Sequence, residues 1–207
     1  HPKAKRVLFH LQGDAPKQGK LNTKARKTEN NETLIDNYSF DGEALARAES
    51  TEHRLIYLTP ELKQSVHLSG TPRINISLAC DREAANLSVW LVSLPWNKRS
   101  NAKITDNIIT RGWADPQNHQ SLTDGEPLVP GKFYSMSFDL QPDDQIIPKG
   151  QQIALMIFSS DQDFTLWPNP GTELTINLNK TSLELPIVGG KRAWKKALRE
   201  KDKSQEP

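Results

Sequence analysis

Tyr134-Ser135-Met136-Ser137-Phe138-Asp139-Leu140 is the stretch whose reading decides the fold class. Apolar and polar residues alternate along it. A period of two places Tyr134, Met136, Phe138 and Leu140 on one side of a strand and the serines and aspartate on the other. The same pattern recurs on both sides. Upstream, Ile74, Ile76 and Leu78 alternate with Asn75, Ser77 and Ala79. Arg54–Leu58 stops at Thr59-Pro60, Ser65–Ser69 stops at Gly70, and Val7–Leu11 is closed by Gly13 and Asp14. Leu87–Leu94 is more continuously apolar, as a strand buried on both faces should be. Gln152–Phe158 and Glu173–Leu178 complete the set. Strands with turn signals every ~8–12 residues point to an all-β sandwich or barrel, and the lack of a fixed-period repeat argues against a propeller or solenoid.

Two segments break the pattern. Residues 14–33 carry Pro16, Gly19 and a polar, cationic run from Lys20 to Lys27 without periodicity, and read as a long exposed loop. Residues 191–207 are rich in Lys and Glu, with Trp194, Ala197 and Leu198 at helical spacing. There a short basic tail, solvated and fraying, is preferred over docking of Trp194. One further helix is expected at Glu43–Ala48. The organisation is thus one domain over 1–190 and a basic tail over 191–207. An apolar share of 35% and a mean hydropathy of −0.66 fit a normal core diluted by polar loops and termini.

The net charge of +2 creates no global field that selects nucleic acid or an anionic membrane. No run reaches the ~18–20 apolar residues of a membrane span. His1-Pro2-Lys3-Ala4-Lys5-Arg6 is basic, but the apolar stretch after it is too short for a signal peptide. A chain opening on His1 reads as excised from a longer protein. Cys80 has no partner for an internal disulfide and reads as a buried structural thiol.

The chain holds no Gly-x-Ser-x-Gly elbow for a hydrolase nucleophile, no His-Glu-x-x-His and no phosphate-cradling glycine loop. His10, His53, His67 and His119 have no nearby Cys and read as packed or surface residues. Asp143-Asp144 and Asp161-Gln162-Asp163 are close carboxylate pairs. Without the glycine and terminal glutamate of a calcium loop, they read as turn aspartates. Asn-x-Ser/Thr sequons start at Asn31, Asn37, Asn75, Asn86 and Asn179, and two fall inside expected strands. No catalytic, cofactor-binding or metal-ligating residue is assigned. Trp90 belongs to a central strand. Trp96, Trp113 and Trp167 sit among Pro, Asn and Gly, where they either form a binding face or cap the ends of the core.

Several short words, weak singly and specific in their order, carry a resemblance. They are Arg54-Leu55-Ile56-Tyr57-Leu58-Thr59-Pro60-Glu61-Leu62, Leu68-Ser69-Gly70-Thr71-Pro72 and Ile109-Thr110-Arg111-Gly112-Trp113-Ala114-Asp115-Pro116-Gln117-Asn118. Further on come Pro127-Leu128-Val129-Pro130-Gly131, Phe138-Asp139-Leu140-Gln141-Pro142, Ser159-Ser160-Asp161, Pro170-Gly171-Thr172-Glu173-Leu174 and Leu185-Pro186-Ile187-Val188-Gly189-Gly190. Over residues 53–190, and more weakly over 7–45, the chain resembles the C-terminal, non-catalytic domain of X-prolyl dipeptidyl-peptidases and their cocaine-esterase-like relatives. The resemblance implies a jelly-roll-like, galactose-binding-domain-like β-sandwich with no cofactor. It implies an upstream α/β-hydrolase domain carrying a Ser-Asp-His triad, none of which maps onto this sequence. It also implies a bacterial parent, secreted or periplasmic in preference to cytoplasmic; association into a homo-oligomer through that parent stays open.

On this reading the sandwich packs on the hydrolase domain and helps wall its active-site entrance. Arg111, Trp113, Asp115 and Asn118 are the expected contact, with Trp96 and Trp167 as exposed aromatics. An autonomous carbohydrate-binding module using Trp96, Trp113 and Trp167 as a stacking platform is the alternative, and a small free-standing enzyme is the weakest reading.

Overall fold

The alternating stretch forms β9 (Tyr134–Asp139), antiparallel to β6 (Arg73–Cys80), with Phe138 opposite Ile74 and Met136 opposite Ile76. Such directly opposed apolar pairs are the stabilising unit of a sheet. This is a computed structural model, which describes residues 1–26, 31–99, 101, 103, 106–168 and 170–200. Its remaining strands are β1 (Ala4–Gln12), β2 (Gly19–Asn22), β3 (Asn31–Ile35), β4 (Leu55–Leu58), β5 (Val66–Gly70), β7 (Leu87–Leu94), β8 (Ile108–Ala114), β10 (Asp143–Ile147), β11 (Gln152–Phe158), β12 (Glu173–Asn177) and β13 (Ser182–Val188). Two α-helices, α1 (Gly42–Arg47) and α2 (Gly190–Ala197), and two 3-10 turns, Pro116–Asn118 and Leu178–Lys180, complete the described elements.

Hydrogen bonding runs β3-β12-β6-β13-β1-β2-β4-β11-β7-β8, with β9 added to β6 and the β5–β10 pair added to β13. The path closes over itself into two layers. Inward residues of β1, β6 and β13 share one core with those of β4, β7 and β11, including Phe9, Ile74, Leu185, Tyr57, Leu91 and Leu155. This is the expected all-β sandwich. Among the described residues the only parallel pairing is β2 with β4, two residue pairs at the seam between the layers.

The β4-β11-β7-β8 layer is apolar on both faces, as Leu87–Leu94 foretold. Its outer residues, Ile56, Trp90, Val92, Met156 and Phe158 among them, form a second cluster covered by Leu45 and Ala46 of α1. Asp41 caps α1, its Oδ1 accepting from the Ala44 N–H at 2.7 Å. Gly42 lies so close to Trp90 that a Cβ would fall 2.2 Å from the indole Cη2. Only glycine permits that seat.

Residues 14–33 are not the long exposed loop that their composition suggests. Gly19–Asn22 is a strand, Ala15 and Leu21 are fully buried, and Asn31–Ile35 pairs with β12. Residues 27–30 lie outside the described residues. The organiser is Arg54, which is 1% exposed and, among the described residues, bonds backbone carbonyls and no carboxylate. Its guanidinium donates to the carbonyls of Ala15, Pro16 and Lys17 on one side and of Leu45 and Ala48 on the other, at 2.6–3.2 Å. Burial lowers its pKa to about 10, so it stays charged at neutral pH. A planar fork of donors suits this task, and a lysine could not replace it.

The second correction concerns the tail. Residues 190–197 form α2, and Trp194 is 2% exposed, edge-on to Phe9 at 4.9 Å. The stripe of Trp194 and Ala197 closes one end of the main core. Docking prevails because a tryptophan buries more apolar area than the short helix loses by ordering. The part of the expected tail at 201–207 lies outside the described residues.

Trp194→Ala should therefore cost about 3–5 kcal/mol in urea denaturation, as large-to-small core changes do. A solvated tail would give no change. Arg54→Met should cost about 3 kcal/mol or more, because several buried carbonyls lose a charged donor together. Limited proteolysis should then cut first within residues 14–18.

Candidate functional site

Antiparallel pairing of β7 with β8 sets Trp90 opposite Arg111 and Ser88 opposite Trp113. With a period of two, Arg111 and Trp113 share the outer face with Trp90. Gly112 points the other way, where a Cβ would lie 2.4 Å from Leu140 Cδ2. The chain leaving β11 then folds back over this face. The Phe164 and Thr165 N–H groups both donate to the Asp161 carbonyl at 2.9 Å, making a tight turn.

The Asp161 side chain joins the two strands. Its Oδ2 accepts the indole N–H of Trp90 at 2.8 Å and of Trp113 at 2.9 Å. Phe164 stacks on Trp113 with ring centres 4.9 Å apart. The Arg111 guanidinium lies 4.6 Å from the Phe164 ring centre and 5.2 Å from that of Trp90, a cation–π arrangement. Asp161 is 1% exposed, and burial pushes its carboxyl above the ordinary range, opposed by the Trp113 and Trp90 N–H groups and the Arg111 charge.

The turn is held at both ends. Buried Asp36 accepts from the Ser160 N–H and hydroxyl, each at 2.8 Å. Asn86 donates to the Ser160 hydroxyl at 3.0 Å and to the Leu166 carbonyl at 2.8 Å. This frame displays side chains that a free loop would fold inward. Leu166 is 85% exposed, Trp167 60% and Phe164 50%. Trp167 lies flat on Tyr38, centroids 5.5 Å apart, and its indole donates to the Gln162 carbonyl at 2.7 Å. A rigid run of exposed large apolar groups marks an interaction surface.

Of the expected contact residues, the structure brings Arg111 and Trp113 together and leaves Asp115 and Asn118 apart. Asp115 instead caps a 3-10 turn at Pro116–Asn118, accepting from the Gln117 N–H at 2.9 Å, and its carbonyl takes the Asn118 N–H. Trp167 stands exposed. Trp96 does not: it is half-buried against the second cluster. It also follows the far end of β7, ~20 Å along the strand from the residue facing Trp113, so the three tryptophans share no platform. Asp161 is more than a turn aspartate, and its grip on two indoles was not legible in sequence. Asp143-Asp144 is likewise no turn but the start of β10, paired with β5. There Asp144 bonds His67 Nε2, and Ser69 approaches the same carboxylate. A Ser-His-Asp relay needs the imidazole in the middle; here the carboxylate is. Among the described residues no group of His, Cys, Asp and Glu could hold a metal ion.

Fold and site together define an all-β sandwich module with a built aromatic surface. The sequence matches the X-Pro dipeptidyl-peptidase C-terminal non-catalytic domain over residues 1–203, and the chain belongs to that family. It is 66% identical over 190 residues to a Rhodopirellula baltica protein named "Putative Xaa-Pro dipeptidyl-peptidase", covering 92% of this chain and 30% of that one. A Bacillus cereus protein of the same name is 40% identical over 136 residues, 66% of this chain and 22% of its own length. The chain thus spans less than a third of these relatives. An aminopeptidase from the marine sediment archaeon Thaumarchaeota archaeon superposes with a TM-score of 0.71 at 13% identity, over 90% of this chain and 37% of its own. An alpha-amino acid ester hydrolase does so with a TM-score of 0.66 at 14% identity, over 87% of this chain and 36% of its own. These two likenesses show the fold.

Asp161→Ala should cost about 2–4 kcal/mol, since two indole donors lose a charged acceptor. Asp161→Asn, which keeps an acceptor, should cost less. Because burial raises the Asp161 pKa, its favourable share of stability is complete below the ordinary value of 3.8 and is lost as pH rises through the raised one. The stability of the wild type relative to Asp161→Asn should therefore fall as pH rises above that value. Urea titrations across that range check it, and a constant difference would contradict it.

Proposed function

We propose that this domain is the C-terminal accessory end of a serine hydrolase that releases Xaa-Pro dipeptides from peptide N-termini. It packs on the α/β-hydrolase domain of the same polypeptide and helps shape the active-site entrance. The observation that carries this reading is the 66% identity to a protein of that name over nearly the whole chain. The aromatic surface adds the physical part. Phe164, Leu166 and Trp167 project from a turn fixed by Asp36, Asn86 and Asp161, and interface cores are enriched in aromatic residues and arginine. Arg111 and Trp113 support this surface from beneath.

The division of labour follows. The hydrolase domain supplies nucleophile, base and oxyanion donors, and the sandwich excludes water and limits access from one side. The carbohydrate-binding reading draws no support from the separated tryptophans.

The test uses the full-length polypeptide. It should take a fluorophosphonate label outside residues 1–207 and hydrolyse an Xaa-Pro anilide. Replacing Leu166 and Trp167 together with Ser should raise KM by about tenfold, the loss of one aromatic anchor worth ~1.4 kcal/mol. The melting of the isolated 207-residue chain should not change. Unaltered kinetics with unaltered melting would remove these residues from the contact. Absence of the label would remove the hydrolase itself.

A further inference from the structure

Two of the four cations of α2 stand at the end of the helix where they oppose its dipole. Trp194 and Ala197 face the core, while Lys191, Arg192, Lys195 and Lys196 are exposed. With Arg199 they line a shallow concavity of about 520 Å³. Lys191 and Arg192 occupy the first turn, where the helix dipole favours acids, and that turn has no acidic residue. Gly189 offers no side-chain cap. The pairs Lys191–Lys195 and Arg192–Lys196 are like-charged at i,i+4, which weakens a helix, and Arg199 follows just past its end.

Lys195 and Lys196 sit in the last turn, where cations complement the helix dipole, but Lys191 and Arg192 have no such reason. Among the described residues no carboxylate pairs with any of these five side chains; Glu200 bonds Lys63 and Lys149, and Glu184 bonds Arg6. The last carbonyls of the helix are already satisfied, Ala197 by the Lys63 and Gln64 N–H groups and Lys196 by the Gln64 amide. Lys3 and Lys5 extend the same patch. The Lys3 carbonyl accepts from the Gly189 N–H at 2.9 Å, and Lys5 Cβ lies 3.0 Å from where a Cβ on Gly190 would be. Lys3, Lys5 and the five cations of residues 191–199 thus form one local cationic patch on a chain of net charge +2.

We propose that this face docks the domain on an anionic lipid surface. The cations from Lys191 to Lys196 span ~8 Å of helix length, and α2 is anchored by Trp194, so the row is held in place and not left to fray. The apolar side of the helix is committed to the core, which makes the contact electrostatic, without insertion. Protein partners are the poorer fit: interface cores are depleted in lysine, and no exposed aromatic or aliphatic anchor lies among these residues. Single-stranded or sequence-specific nucleic-acid binding is also poorer, because the face offers no aromatic ring for stacking and no amide for reading base edges. Plain duplex-backbone binding is an outcome that the experiment separates. The inference stands on charge and geometry alone and does not rest on the hydrolase reading.

The experiment is sedimentation of the 207-residue chain with vesicles of phosphatidylcholine, alone or mixed with phosphatidylglycerol. Binding is expected only to the mixed vesicles and should vanish with added salt. Lys195→Gln with Lys196→Gln should weaken it about 25-fold, about fivefold per charge removed. Lys191→Glu with Arg192→Glu should weaken it at least as much while raising the melting temperature, since acids then occupy the first turn. That opposition of stability and binding separates a functional row from a structural one. Equal sedimentation with both vesicle types, or undiminished binding by the folded variants, would overturn the proposal. So would retention on duplex DNA with none on anionic vesicles.

Discussion

The outer face of the β4-β11-β7-β8 layer carries more apolar surface than one six-residue helix can cover, and much of the molecule answers that constraint. α1 covers the β4 and β11 side, pressed against Trp90 through the missing side chain of Gly42. Arg54 fastens α1 to the seam segment at residues 15–17 through backbone carbonyls alone. Around Trp113 on β8, no helix among the described residues covers the sheet. The turn after β11 takes its place, held down by one carboxylate that binds two indoles. A buried carboxylate is costly unless hydrogen-bonded, and Asp161 meets that condition with donors from two strands. The cost is thereby turned into register between the turn and the sheet.

Much of the fold was legible because its signals are local. β7 was bounded correctly and read as buried on both faces, and β6, β9 and β11 follow from alternation or continuous apolar runs. α1 was found within one residue. The failures share a cause. β2 has four residues and one large apolar side chain, Leu21, too short for any period to show. β10 opens on Asp143-Asp144, residues depleted in strands, and is ordered by its ladder with β5. α2 was seen as a stripe, but only the three-dimensional position of Phe9 decides whether Trp194 docks.

The site was half legible for the same reason. Arg111 and Trp113 were singled out, and alternation puts them on one face. Asp115 and Asn118 were grouped with them by adjacency in sequence, yet they belong to the 3-10 turn that ends β8. Asp161 bonds Trp90 from 71 residues away and Trp113 from 48, and no spacing rule reaches that far. The exposed residues Leu166 and Trp167 carry no motif. Their meaning comes from the rigid frame beneath them, which no single-sequence pattern displays. The basic character of residues 191–207 was legible, but not that Trp194 would hold its cations in a fixed row.

The central claim is that the turn at residues 161–167 is the surface the rest of the polypeptide covers. Hydrogen–deuterium exchange tests it most directly, comparing the amides of residues 162–167 in the 207-residue chain and in the full-length protein. The expected result is slow exchange at the fixed bonds in both forms, with marked added protection of 162–167 in the full-length protein alone. Identical exchange of that turn in the two forms, with new protection elsewhere on the sandwich, would contradict the claim and move the docking surface to the newly protected face.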